Sequence, residues 1–90
     1  ERKWQCNHIV AGTIVIMYDQ VKKEISLKIT GIQQNYKDVI LSSSQYYINQ
    51  NFCLHIVTVI GTAHRLTELS DKLTTIKGIK HGKLVMSRAD

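Results

Sequence analysis

The stretch Ser42–Gly61, SSSQYYINQNFCLHIVTVIG, limits what this chain can fold into more than any other. It predicts a β-hairpin. Ile40–Ile48 is its first strand, and Phe52–Ile60, dense in Val, Ile and Thr, its second. Asn49, Gln50 and Asn51 supply the turn chemistry between them. The rest of the chain places a strand and a helix before this hairpin, and a helix and a strand after it.

His8–Tyr18, HIVAGTIVIMY, is apolar almost throughout and predicts a strand covered on both faces. Asp19 after it has the chemistry of a helix N-cap. Ile25, Ile29, Ile32 and Tyr36 then recur at helical spacing, in a segment running to about Asn35. Lys22 and Lys23 fall in the first turn of that helix, where positive charge opposes the helix dipole at a cost of about a few tenths of a kcal/mol. Beyond the hairpin, Thr62 is positioned to cap a second helix with the stripe Leu66, Leu69, Leu73 and Ile76. Gly78 is expected to end that helix at C′, and Ile79–Met86 is the last strand.

The order βαββαβ defines an α+β class of ferredoxin-like plan: an antiparallel four-stranded sheet with two helices on one face. Alternation along the strands places Leu54, Ile56 and Ile60, with Ile40 and Ile48 across from them, toward the helices. Gln45, Tyr47, Cys53, His55, Val57 and Val59 are then expected on the other face. With Leu41 beside them, Val57 and Val59 make that face too apolar for open water, and a partner subunit is the simplest cover.

Length and composition narrow the class. Ninety residues with 43% hydrophobic and 21% charged side chains make one ordinary globular domain with a modest core. No apolar run approaches the roughly 18 residues of a membrane span. The opening Glu1-Arg2-Lys3-Trp4 is polar and has no signal-peptide core. Cys6 and Cys53 lie on different segments and form no C-x-x-C pair. Either a disulfide or two free thiols is compatible with that spacing, and the missing secretory signal favours thiols in a reducing cytoplasm. The net charge of +5 permits contact with phosphates without requiring it.

The most specific pieces of the sequence are Asp38-Val39 after the first helix, Asn49 in the turn, Cys53-Leu54-x-Ile56, Gly61 after the third strand, and the run Gly78-Ile79-Lys80-His81-Gly82-x-Leu84. In this combination the chain resembles the C-terminal regulatory domain of the NikR family of nickel-responsive regulators, from about His8 to Met86. The resemblance implies an ACT-like βαββαβ domain over residues 8–90. Residues 1–7 would be a linker or the end of an upstream ribbon-helix-helix DNA-binding domain. It implies a homo-tetramer that meets DNA through that upstream domain. It also implies a square-planar nickel site of three histidines and one cysteine, in the pattern H-x(10)-H-x-H-x(5)-C, with the first histidine from the opposing protomer.

Here the sequence departs from the family. The first histidine position is Gln34, the H-x-H pair is Gln45 and Tyr47, and only Cys53 is kept. Amides are poor donors for Ni(II), and a phenol must first lose a proton with a pKa near ~10. The resemblance therefore implies a preserved scaffold whose nickel binding is lost or altered. Lys22 and Lys23 occupy family positions that contact DNA phosphates, although two solvated lysines would look the same in sequence.

Three alternatives remain. His55 lies two residues beyond Cys53 on the same strand face, so the two can begin a remodelled site for nickel or another transition metal; a polar interface residue is the plainer reading. The run Ser42–Gln45 would suit a neutral small molecule in an ACT-type module. Cys53 can also be a buried small side chain and nothing more. His81 matches a family motif read as structural, His64 is expected on a helix surface, and His8 with Cys6 offers only an accidental surface site. No catalytic triad and no phosphate loop can be assembled, so the chain is read as a non-enzyme.

Overall fold

A computed structural model describes residues 8–19 and 21–88. The expectations placed on residues 1–7, Cys6 included, lie outside these. The elements are β1 (Ile9–Asp19), α1 (Lys23–Gln34), β2 (Ile40–Tyr47), β3 (Phe52–Thr62), α2 (Ala63–Thr74) and β4 (Ile79–Arg88). The strands form one antiparallel sheet in the order β2-β3-β1-β4, with both helices packed against one face. The expected βαββαβ plan is thus the observed one.

The core lies between that face and the helices. Val10, Ile14, Ile16 and Tyr18 of β1 meet Ile25 and Ile29 of α1, and Leu66, Leu69 and Leu73 of α2. Burial of a Leu or Ile side chain contributes about 1.5–3 kcal/mol, so this cluster supplies most of the favourable free energy.

The structure inverts the expected facing of β3. Cys53, Val57 and Val59 are fully buried under the helices, whereas Leu54, Ile56 and Ile60 lie on the open face. Gln45, Tyr47 and His55 share the helix-facing side with Cys53. The cause is that β3 is apolar on both parities, so alternation alone carries no sign. Pairing fixes the sign instead: Tyr18↔Cys53, Ile14↔Val57 and Gly12↔Val59 align β3 with the buried parity of β1. Ile40 does face the helices, opposite Val59. Ile48 falls beyond β2 and is half exposed. The register shift between Ile40 and Ser42 turns Leu41 onto the open face, where it lines a shallow depression with Ala11, Thr58 and Val85.

Three local signals also resolve differently. Asp19 does not cap α1: its Oδ1 accepts from the Val21 N–H at 3.0 Å, two residues on, while Lys22 holds the N-cap position without a side-chain bond. Thr62 does cap α2, accepting from Arg65 N–H at 3.4 Å. That helix ends at Thr74 rather than at Gly78. The hydroxyls of Thr74 and Thr75 bond back to the carbonyls of Ser70 and Asp71 and compete with its continuation. Gly78 instead serves the turn into β4 with φ of 104°, and a Cβ there would come within 2.5 Å of Ile25 Cδ1.

Candidate functional site

The two halves of the helix-facing layer differ in chemistry. Under α2 it is hydrocarbon. Between α1 and the β2–β3 hairpin it is polar. Tyr18 is 1% exposed, and a buried phenol needs a hydrogen-bond partner. It has several. The Gln45 amide donates to Tyr18 Oη at 2.7 Å. Cys53 is paired with Tyr18 across the sheet, and both it and Ser26 of α1 bear on the titration of the phenol. Burial first, and then the Cys53 thiol, push the Tyr18 phenol up to about 12.

A second cluster sits one pair further along the hairpin. His55 faces Gln45 across the β2–β3 ladder. Its Nε2 lies 3.3 Å from Gln33 Nε2 of α1 and 2.5 Å from Ser43 Oγ of β2. An amide N–H only donates, so Nε2 accepts and the ring proton belongs on Nδ1. Nδ1 is buried and has no hydrogen-bond partner among the described residues. Burial lowers the His55 pKa, and with it the population of imidazolium.

Of the four positions that the resemblance equates with metal ligands, Gln45, Tyr47 and Cys53 lie on the helix-facing side of the hairpin and Gln34 lies apart on α1. Cys53 is fully buried, Gln45 spends its amide on Tyr18, and Tyr47 is opposite Cys53 but 68% exposed at the sheet edge. Gln34 lies at the exposed end of α1, lining a groove of about 200 Å³ with Thr30, Gln33, Lys37 and Ile40. Lys22 and Lys23 are both exposed at the start of α1. Among the described residues no group of three His, Cys, Asp or Glu side chains converges as metal ligands would.

Sequence reasoning passed over Tyr18, Ser26 and Gln33. For Tyr18 the available signal was a hydroxyl-bearing aromatic ending an otherwise hydrocarbon strand. It also passed over the pairing of Asp38 with Arg65, a bidentate contact at 3.0 Å on both arms, with the guanidinium stacked 5.0 Å from the Tyr36 ring centroid. This pair pins the loop before β2 to α2, and it holds the Asp38 carboxyl below its usual range.

The fold is that of an ACT-like domain. The topology is shared with an uncharacterized protein from Thermotoga maritima, at TM-score 0.72 and 20% identity, covering 92% of this chain and 100% of that one. It is shared too with the ACT domain of GTP pyrophosphokinase from Chlorobium tepidum, at TM-score 0.68 and 18% identity, covering 89% and 100%. At these identities the likeness is one of fold.

The family follows from the sequence. Residues 11–87 match the model of the NikR C terminal nickel binding domain, and the chain belongs to that family. A relative from Thermococcus onnurineus, assigned by name to the nickel-responsive regulators, is 40% identical over 78 residues, covering 87% of this chain and 56% of that protein. A second, from Methanocaldococcus jannaschii, is 39% identical over 74 residues, covering 82% and 52%. The chain thus spans a little over half the length of these relatives. No helix among the described residues is long and apolar enough to cross a membrane.

The side chains present do not suit the family's metal. Nickel in a plane of imidazoles and thiolate needs deprotonated N and S donors. Here the one thiol among the described residues, Cys53, is sealed beside a phenol, and the neighbouring amide is already a donor to that phenol.

Proposed function

We propose that this chain is the regulatory and assembly domain of a NikR-like DNA-binding transcriptional regulator that no longer ligates nickel through the family's donor set. The observation that carries this reading is the family match over residues 11–87 combined with amide and phenol side chains at Gln34, Gln45 and Tyr47. The assembly is a homo-tetramer. Its support is the open sheet face, where Ile9, Leu41 and Val85 are about half exposed or more, beside Leu54, Ile56 and Ile60. An upstream domain reads the DNA. Lys22 and Lys23, exposed where β1 passes into α1, add phosphate contacts that position without specifying sequence.

The test is a nickel titration of the reduced chain, with metal content measured after gel filtration. The wild type is expected to retain no stoichiometric nickel. The triple variant Gln34→His, Gln45→His, Tyr47→His is expected to retain it, because the ligand spacing survives. Nickel held by the wild type and released by Cys53→Ala would overturn the reading.

One observation favours a second reading. His55 shares the face of Cys53, and its buried Nδ1 has no partner among the described residues. A metal ligated by both would displace the proton assigned to that nitrogen, and Nε2 would then turn from acceptor to donor. Stoichiometric zinc or copper in the purified protein, lost in His55→Gln, would select this reading over the first.

A further inference from the structure

Gly31 lies inside α1, and the packing of the single chain gives no reason for it. Only proline is less favourable in a helix interior. The backbone does not need a glycine there, because Gly78 is the one glycine with positive φ. The neighbours do not need one either. At Gly12, Gly61, Gly78 and Gly82 an added Cβ comes within 3.0 Å of a packed atom, whereas at Gly31 it meets nothing within 4 Å. What Gly31 supplies is a notch in an exposed helix surface, open to close approach by another backbone.

The notch sits in a continuous helix face. Leu27, four residues before Gly31, and Gln34, three after it, share its side of α1, away from the buried Ile25 and Ile29. Leu27 is 72% exposed. Glu24 opens this face, and Lys37 follows it just past the end of the helix. Neither makes an ion pair among the described residues, where Arg65–Asp38 is the one salt bridge. A two-fold axis makes such a face complementary to itself. With a second α1 turned antiparallel, Leu27 meets Gly31 of the second copy and Gly31 receives its Leu27. Glu24 then lies beside Gln34 of the second copy and toward its Lys37, and the helix dipoles oppose favourably. A parallel arrangement would set lysine beside lysine and notch against notch.

We infer that the exposed face of α1 is an interface with α1 of a second copy, antiparallel, with Leu27 of each seated at Gly31 of the other. The inference rests on the proposed tetramer and supplies what that assembly still needs. One isologous surface stops at a dimer, so a closed tetramer of two-fold contacts requires a second, different one. The open sheet face is the first, and the α1 face is the second. Gln34, the position that the tetramer reading sets against the opposing protomer, lies within it.

The experiment is sedimentation equilibrium of the full chain, with helix content followed by circular dichroism. The wild type is expected to be a tetramer. Gly31→Leu is expected to stop at a dimer, with tetramer formation weakened by about tenfold or more and helix content kept, because the added side chain enters open space within its own chain. Leu27→Ala, at an exposed site, is expected to weaken the tetramer in the same direction. Combining Leu27→Ala with Gly31→Leu moves the knob one turn along and leaves a small residue to receive it, so the tetramer is expected to return. A tetrameric wild type whose Gly31→Leu and Leu27→Ala variants assemble equally well overturns the contact. So does a combined variant no better assembled than Gly31→Leu alone. A wild type that does not pass beyond a dimer overturns the tetramer reading and the contact with it, so the wild type alone tells the two failures apart.

Discussion

The two helices cover the same sheet but lie on different interiors. α2 is capped by Thr62 and seals hydrocarbon with Leu66, Leu69 and Leu73, each fully buried. α1 starts without a side-chain cap, buries Ile25 and Ile29, and elsewhere meets the hairpin through Tyr18, Gln33, Ser43, Gln45, Cys53 and His55. A hydrocarbon interface is strong and insensitive to direction. A hydrogen-bonded one is weaker in net terms but sensitive to which partner is present. One domain therefore keeps its stability under one helix and its chemistry under the other, on the same face of the sheet.

The sharpest way to break that contrast is Leu69→Ala. Its side chain is fully buried under α2, and truncation is expected to cost about 2–5 kcal/mol by transfer and cavity terms. Urea denaturation followed by circular dichroism measures it. A loss under about 1 kcal/mol would mean that the α2 side is not the anchor.

How far this contrast is readable from the sequence depends on the element. The βαββαβ order is legible because Ile25, Ile29 and Ile32 repeat at helical spacing, and the hairpin strands are separated by Asn49, Gln50 and Asn51. The facing of β3 is not legible, because Leu54, Ile56 and Ile60 are as apolar as Cys53, Val57 and Val59. An open face that is itself greasy erases the alternation, and only pairing with β1 restores it. That Gln45, Tyr47 and Cys53 share one face is legible by spacing. The polar layer around them is not. Tyr18 and Gln33 lie 27 and 22 residues from Gln45 and His55, respectively, and their pairing depends on the third dimension.

Tyr18→Phe comes next in size. It keeps the ring in the core but removes the hydroxyl that Gln45 donates to and that Cys53 and Ser26 meet. The expected loss is about 1–3 kcal/mol, because buried polar partners are left unsatisfied. Hydrogen exchange adds the discriminating readout: protection should fall in β2 while α2 keeps its own. A uniform fall across the chain would dissolve the division between the two sides.

A smaller effect tests the capping difference. Thr62→Ala removes the hydroxyl that accepts from Arg65 N–H and is expected to cost about 1 kcal/mol. The equivalent change at the start of α1, Lys22→Ala, removes no capping bond and should cost less. Equal losses in thermal denaturation would contradict the assignment of the cap to α2 alone.

The smallest effect is the pH dependence carried by His55. Burial lowers its folded pKa below the unperturbed value of 6.5. The unfolded chain therefore binds a proton more readily than the folded one between those two values. Stability rises with pH wherever the unfolded state holds more protons. The contribution of neutral His55 is fully present above about pH 6.5 and is lost as pH falls through the depressed folded value. On the α1 side, protonation at Nε2 also removes the acceptor that Gln33 and Ser43 share, so the acid form loosens the link between α1 and the hairpin. Paired urea titrations between about pH 5 and 8, on the wild type and His55→Gln, isolate this slope. The wild type should lose stability toward acid faster than the variant. Parallel curves would place the acid sensitivity elsewhere, and the polar layer would then be a structural seam without a titrating member.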